Sequence, residues 1–140
     1  MTTSVSYLVD TNILLRFFVP EQPVQAEASK RLIQNAAEGR FVLEIPFVTI
    51  AEAVHTLRTF YRVDRTRVAN QMLMLLKGTG IRVTAPAWIL EALAEYGARN
   101  VSFGDACLAA EARAREITVA SFDRDFDSFT GVVRFDPSVL

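Results

Sequence analysis

Five short apolar runs alternate along the chain with longer segments whose apolar residues recur every three or four positions. The runs are typical of strands and are VSYLV (5–9), FVLEI (41–45), IRVTA (81–85), ITVAS (117–121) and VVRF (132–135). Parallel strands need crossovers long enough to hold a helix, so this alternation favours parallel pairing. We therefore expect an α/β fold, with a central and mostly parallel sheet of about five strands between two helical layers. The first strand should be buried on both faces.

Length and composition limit the kinds of protein that the chain can be. Its 140 residues, 51% of them hydrophobic, suit one compact domain over residues 1–140. A formal charge of -1 excludes a strongly basic nucleic-acid binder, so net charge indicates no partner. Cys107 is the single cysteine, which favours a reducing compartment. No apolar run approaches the roughly 18 residues of a membrane helix, so we expect no leader, no membrane contact and a cytoplasmic protein.

Four acids fall near the predicted ends of strands. Asp10 and Asp123 follow the first and fourth strands directly. Glu52 lies in the first turn of the helix after the second strand, and Asp105 lies in the first turn of the helix before the fourth. Open parallel sheets bind ligands at the carboxyl edge of their strands, so Asp10, Glu52 and Asp123 are candidates for one shared site. Asp105 precedes its strand and would join them there only if its helix is tilted.

Carboxylates that lie close together raise one another's pKa unless a positive charge joins them. The chain has two lysines, Lys30 and Lys77, and both fall within or at the end of predicted helices. A hard divalent cation is the better candidate, because Mg²⁺ and Mn²⁺ prefer oxygen ligands and need only a few carboxylates. Such an ion activates water and offsets the charge that develops on a phosphodiester.

Structural roles are the alternative for each acid. Thr49 to Glu52 and Ser102 to Asp105 both match a capping box, in which the acid only satisfies amides at a helix N-terminus. Asp10 could open a turn, and the acids of the segment FDRDFD could belong to a solvated loop. A cap does not exclude a metal site, since a helix N-terminus can also position a ligand.

Four segments in order, LVDTNILLR, TIAEAVHTL, FGDACLAAEAR and VASFDRDFD, resemble the acidic motifs of the PIN-domain ribonucleases, especially VapC-type toxins of toxin–antitoxin pairs. The resemblance spans nearly the whole chain and implies a PIN-like α/β/α sandwich. It also implies Mg²⁺- or Mn²⁺-dependent cleavage of RNA, a homodimer, and inhibition by a cognate VapB-like antitoxin.

The resemblance also implies roles for individual residues. The catalytic acids would be Asp10, Glu52, Asp105 and Asp123, of which Asp10, Asp105 and Asp123 would contact the metal ion. Asp125 competes with Asp123 for the fourth position. Supporting polar residues would be Thr11, Asn12, Ser121 and Asp125.

A basic and aromatic segment is the candidate RNA contact. Without the four site acids, 12 acidic residues stand against 15 basic ones. Phe60 and Tyr61 lie among Arg58, Arg62, Arg65 and Arg67, a pattern that suits phosphates and stacked bases. A solvated helix end, with its aromatic rings turned into the core, would give the same pattern.

Two other functions fit parts of the pattern. An aspartate-nucleophile phosphatase also places an acid after its first strand, but it requires a second aspartate where this chain has Asn12. A non-catalytic PIN-like module would bind RNA or a protein partner through the same surfaces. The complete set of acids favours the nuclease.

Overall fold

The computed structural model describes residues 5–140, which form six α-helices and five strands in alternation. Residues 1–4, part of the segment in which we expected no leader, lie outside the described residues. The strands are β1 (Ser6–Leu8), β2 (Val42–Pro46), β3 (Ile81–Thr84), β4 (Val119–Ala120) and β5 (Arg134–Phe135). The helices are α1 (Thr11–Phe18), α2 (Pro23–Ala37), α3 (Phe47–Thr59), α4 (Arg65–Leu76), α5 (Ile89–Ala98) and α6 (Phe103–Arg115). No helix within residues 5–140 has the length and apolar character to span a membrane.

The chain divides into two compact units, the first ending at Pro86 and the second running from Ala87 to Leu140. In the first unit, β1, β2 and β3 form a parallel sheet with β2 at its centre. Leu43 pairs with Tyr7 on one side and with Ile81 on the other. The carboxyl ends of these strands therefore point the same way, which is the arrangement predicted from the alternation of elements.

The central strand supplies the core of the first unit. Leu43 and Ile45 of β2 are almost completely buried, as are Ile50, Val54 and Leu57 of α3. Helices α2 and α3 contact β2, while α4 contacts β3. The apolar residues of α3 recur at three- and four-residue spacing, and burial of that face stabilises the helix on the sheet.

The prediction that the first strand is buried on both faces is wrong. Tyr7 and Leu8 of β1 are 50% and 74% exposed, although Val9, the next residue, is buried. Among the strands of residues 5–140, β1 pairs only with β2, so it is an edge strand whose side chains have a strand neighbour on one side.

The second unit is built on α5 and α6 and is held by one arginine. Arg113 of α6 donates to both carboxylate oxygens of Glu95 and to Glu91 on α5, each at 2.9 Å. Its Nε also donates to the carbonyl of Thr130 at 2.6 Å. Nearby, Phe126 and Phe129 are buried against Ala109 of α6. One planar guanidinium thus joins two helices and a loop.

The predicted α/β class and the parallel strand pairing are confirmed, but the five strands do not hydrogen-bond as one sheet. The first unit holds three of them, and β4 and β5 form a separate parallel pair in the second. Each of these two strands is only two residues long, so few of its backbone groups are available for ladder pairing.

Two glycines of the first unit adopt a left-handed backbone for different reasons. Gly39 has φ +85°, and a methyl group added there would meet no atom within 4 Å. Gly80 has φ +81°, and its Cβ would lie 2.1 Å from the carbonyl oxygen of Ala36. Only Gly80 therefore combines the conformational requirement with a close backbone approach.

We expect Gly80→Ala to lower the free energy of unfolding by about 2–4 kcal/mol, because strain and a backbone clash add together. Gly39→Ala, the matched control, carries only the left-handed strain and should lose about 1–2 kcal/mol. Urea unfolding of both variants measures the difference. Equal losses would contradict the close approach of residue 80 to α2.

Candidate functional site

Asp10 lies just beyond β1 and is the N-cap of α1. Its Oδ1 accepts a hydrogen bond of 2.8 Å from the backbone N–H of Thr11. This bond satisfies one of the free amides at the start of the helix. The Asp10 side chain is nevertheless exposed, so its other oxygen atom can reach a ligand.

Thr11 connects the first two predicted acids. Its hydroxyl donates to Glu52 Oε2 at 2.8 Å, across 41 positions of the chain, while its backbone N–H holds Asp10. Asp10 and Glu52 therefore come together around one threonine. The structure gives Thr11 the contact with both acids, and Asn12 is exposed one position further along α1.

Helix α3 begins earlier than the capping-box alternative requires. It starts at Phe47, directly after Pro46, so Glu52 lies in its second turn and not in the predicted first turn. Thr49 is not a cap. Its buried hydroxyl donates to the carbonyl of Val9 at 2.8 Å and thereby ties α3 to the end of β1. Thr49 is thus a positioning residue for Glu52 that sequence reasoning considered only as a cap.

In the second unit, Asp105 lies in the first turn of α6, as predicted. The hydroxyl of Ser102, the N-cap, accepts a hydrogen bond of 3.0 Å from the Asp105 backbone N–H. This half of the predicted capping box is confirmed. The backbone of Asp105 makes this capping bond, and its carboxylate also interacts with the Ser102 hydroxyl.

The pKa of Asp105 is raised above its ordinary value of 3.8. Burial is the largest cause, repulsion from Asp123 follows, and Asp125 adds a smaller repulsion, while a hydrogen bond from Ser102 opposes the rise. Of these two neighbouring acids, Asp123 therefore raises the pKa of Asp105 more than Asp125 does. Like charges gathered in this way favour a bound cation.

Asp123 is the N-cap of a short 3₁₀ turn, Arg124–Ser128. Its backbone N–H donates to the Ser121 hydroxyl at 2.9 Å, and its Oδ1 accepts from the backbone N–H of Asp125 at 2.8 Å. Two of the predicted supporting residues, Ser121 and Asp125, therefore contact Asp123. Asp127 instead forms an ion pair with Arg134, whose Nε lies 3.0 Å from Asp127 Oδ1.

The donor atoms suit a hard cation. Each unit by itself holds a pair of acids together with hydroxyl groups, Asp10 with Glu52 in the first and Asp105 with Asp123 in the second. Mg²⁺ usually retains several waters and binds through one or two carboxylates, so a pair of acids fits it chemically. Within residues 5–140, no group of three or more His, Cys, Asp or Glu side chains is arranged to hold a metal ion.

Cys107 does not join this chemistry. The thiol is buried in α6, and burial together with the smaller effect of the Glu111 charge raises its pKa to about 12. A thiol is a nucleophile only as the thiolate, so Cys107 is inert at neutral pH.

The predicted RNA-contact segment joins the end of α3 to the start of α4. Arg58, Arg62 and Arg67 are exposed, and none of them forms an ion pair with a residue of the described chain. Arg62 has a left-handed backbone, φ 56°. Phe60 is 74% exposed, and its ring packs edge-on to Tyr61 at 4.9 Å. This segment therefore presents positive charge and an open aromatic face to solvent.

Sequence reasoning missed Arg16 on α1. Its guanidinium donates to Gln25 at 2.8 Å and to the hydroxyl of Tyr61 at 3.3 Å. The spacing along α1 could have indicated it. Arg16 follows the predicted supporting residue Asn12 by four positions, so both lie on the same face of the helix.

Comparison with models of protein families gives a match. The family model described as PIN domain matches residues 7–132, which is most of the chain. No curated protein matches the sequence.

The raised pKa of Asp105 is testable by carboxyl NMR titration in metal-free buffer. Asp123→Asn removes a repulsion, so the pKa of Asp105 should move back toward 3.8. Asp127→Asn is the matched control and should leave that pKa unchanged, since Asp127 is not among its causes.

The raised pKa of Asp105 also determines whether Asp123→Asn stabilises or destabilises the folded protein. A raised folded-state pKa contributes stability that is fully present below pH 3.8 and is lost as pH rises through the folded value. At neutral pH, Asp123→Asn should therefore slightly stabilise the protein, by less than about 1 kcal/mol. An unchanged Asp105 pKa in this variant would contradict the contact between the two acids.

Proposed function

This chain belongs to the PIN-domain family, and on that premise we propose that it is a metal-dependent endoribonuclease, the toxin of a VapBC-type pair. PIN domains are generally nucleases, so the nuclease-type fold follows from family membership. One observation carries the proposal further. Each unit holds two of the predicted acids together, with hydroxyl or backbone partners that fix their orientation.

We assign the four acids to one reaction because the matched span includes both pairs. Residues 1–140 would then act as a single nuclease domain. Asp10, Asp105 and Asp123 would hold Mg²⁺ or Mn²⁺. When bound, the ion supplies positive charge that offsets the carboxylates and the charge developing on the phosphodiester.

Glu52 is suited to handle a proton. Its Oε2 accepts from Thr11, which fixes the carboxylate and leaves Oε1 for a water molecule. In the proposed step, a carboxylate takes a proton from the attacking water while the new bond to phosphorus forms. The bond to the 3′ oxygen breaks, and that oxygen leaves and acquires a proton.

RNA contact is proposed for Arg58, Arg62, Arg65 and Arg67. The exposure of Arg58, Arg62 and Arg67, without acidic partners in the described chain, supports contact with phosphates. The open face of Phe60 supports stacking with a base.

A VapB-like antitoxin and a second copy of the chain are the proposed protein partners, in the cytoplasm. An apolar groove of about 390 Å³ in the first unit supports the first of these. Phe17, Phe18, Ile33 and Met74 line it, between α1, α2 and α4. An amphipathic helix presents an apolar face that suits such a groove.

Cleavage of RNA by the purified protein tests the central proposal. We expect cleavage with Mn²⁺ or Mg²⁺ and none after chelation. Asp10→Asn and Glu52→Gln should each lower the rate by at least about 100-fold, because each removes a carboxylate from the proposed chemistry. Glu38→Gln, which neutralises an exposed acid at the end of α2, is the matched control and should retain full activity.

Other outcomes identify the alternatives. Metal-independent binding of RNA without cleavage would indicate the non-catalytic module. A phosphoaspartate trapped at Asp10 would indicate the phosphatase. Equal activity of Asp10→Asn and the parent would refute the role of that carboxylate.

The groove is testable by affinity for the antitoxin encoded beside the gene. Met74 is 76% exposed, so Met74→Asp should not disturb folding. Burial of a methionine contributes about 1.5–3 kcal/mol, and we therefore expect at least a tenfold loss of affinity, with RNA cleavage intact. Val24→Asp alters a similarly exposed residue outside the groove and should change neither quantity. Equal affinity of Met74→Asp and the parent would exclude the groove.

A further inference from the structure

A second cavity of the first unit lies beside α1 and combines apolar walls with a few polar side chains. Its volume is about 460 Å³, and Asn12, Arg16, Gln25 and Ser29 contribute its polar side chains. The Thr11–Glu52 pair does not line it. It therefore offers a binding place beside the proposed acids that the mechanism above does not use.

Arg16 is the charged group of this cavity, and both of its partners are neutral. Nε donates to Gln25 Oε1 at 2.8 Å, and one terminal nitrogen donates to the Tyr61 hydroxyl at 3.3 Å. No carboxylate within residues 5–140 forms an ion pair with it. The two bonds fix the plane of the guanidinium while other N–H groups remain for a ligand.

This arrangement differs from that of the paired arginines of the chain. Arg113 is held by two glutamates, whereas Arg16 is half-buried without an acidic partner among residues 5–140. Burial of a charge is costly unless an ion of opposite sign joins it. A planar, pre-oriented guanidinium is suited to an oxyanion that accepts two parallel hydrogen bonds, and a phosphate is such a group.

The position of Arg16 relates the cavity to the proposed substrate. Asp10 caps the helix on which Arg16 lies, and a rise of about 1.5 Å per residue separates the two positions by about 9 Å along the axis. Tyr61, which accepts from Arg16, also packs against the exposed ring of Phe60. Helix α1 thus links the cavity to Asp10, and Tyr61 links it to the basic and aromatic segment at the end of α3.

We propose that Arg16, positioned by Gln25 and Tyr61, binds a backbone phosphate of the RNA in this cavity. The inference rests on the proposed ribonuclease function, since that function supplies the RNA. Arg16 is in this view a substrate-binding residue, while Gln25 and Tyr61 act through it.

A purely structural role is the competing explanation. Arg16 lies in the last turn of α1, where a positive charge favours the helix dipole, and its two bonds join α1 to α2 and to the end of α3. Loss of such a role would change stability without changing the number of phosphates that the protein neutralises. Salt dependence of RNA binding separates the two explanations.

The experiment measures binding of a short single-stranded RNA to the Asp10→Asn protein, which we expect not to cleave it, over a range of salt concentrations. Arg16→Gln should lower affinity about tenfold at low salt and reduce the slope of log K against log salt by about 0.7, the value for one phosphate. Arg16→Lys should retain the slope but lose part of the affinity, because lysine cannot keep the forked geometry. Arg40→Gln, near the amino end of β2, removes the same charge and should change neither quantity.

A spectroscopic readout makes the test independent of both cleavage and folding of the arginine variants. The Nε–Hε resonance of Arg16 should shift when the RNA is added to the Asp10→Asn protein, and it should not shift with an uncharged oligonucleotide analogue. Tyr61→Phe keeps the charge but removes one positioning bond, so it should weaken binding with an unchanged salt slope.

The outcomes separate this inference from the proposed function. If the parent cleaves RNA while the Arg16 resonance stays fixed and the slope of Arg16→Gln equals that of Arg40→Gln, the phosphate site is refuted. If the parent cleaves no RNA but the resonance shifts and the slope falls, the ribonuclease proposal fails and the phosphate site stands. Should Arg16→Gln fail to fold, the resonance and Tyr61→Phe decide.

Discussion

Parallel pairing on both sides of β2 determines where the first unit can carry its acids. Because β1 and β3 run in the same direction as β2, the segments that leave their carboxyl ends emerge at one edge. Asp10 leaves β1 at that edge, and α3 begins there directly after β2. The bond from Thr49 to the carbonyl of Val9 then fixes α3 against the end of β1. The meeting of Thr11 with Glu52 depends on this pairing and on this one buried bond.

Repulsion between neighbouring carboxylates is the second constraint, and the partners of the acids differ between the two units. In the first unit, the Thr11 hydroxyl and backbone give Glu52 and Asp10 a donor each. In the second unit, Asp105 is crowded by Asp123 and Asp125, and its pKa rises as a result of burial and their charge. Donors of the chain itself offset the charge of the first pair, whereas the second pair keeps a repulsion that raises the pKa of Asp105.

Arginines of this chain fall into groups with different partners. Arg113 and Arg134 are paired with acids and hold the second unit together. Arg58, Arg62 and Arg67 are exposed without acidic partners in the described chain, and Arg16 is half-buried with neutral ones. The nearly neutral total charge therefore hides a local positive surface, because site acids and paired acids account for much of the negative charge.

The sequence by itself determined the order of strands and helices, their parallel pairing, and the positions of Asp10, Asp105 and Asp123 at the ends of elements. Apolar periodicity and capping residues act over a few positions, so they are visible in a single sequence.

The sequence did not determine that α3 starts at Phe47, that β1 is exposed, or that β4 and β5 pair apart from the other three strands. Only the tertiary structure decided that Thr11 holds Glu52 and that Tyr61 and Gln25 orient Arg16. Thr11 and Glu52 are 41 positions apart, and Arg16 and Tyr61 are 45. Contacts of that span depend on how helices pack together, which no local pattern specifies.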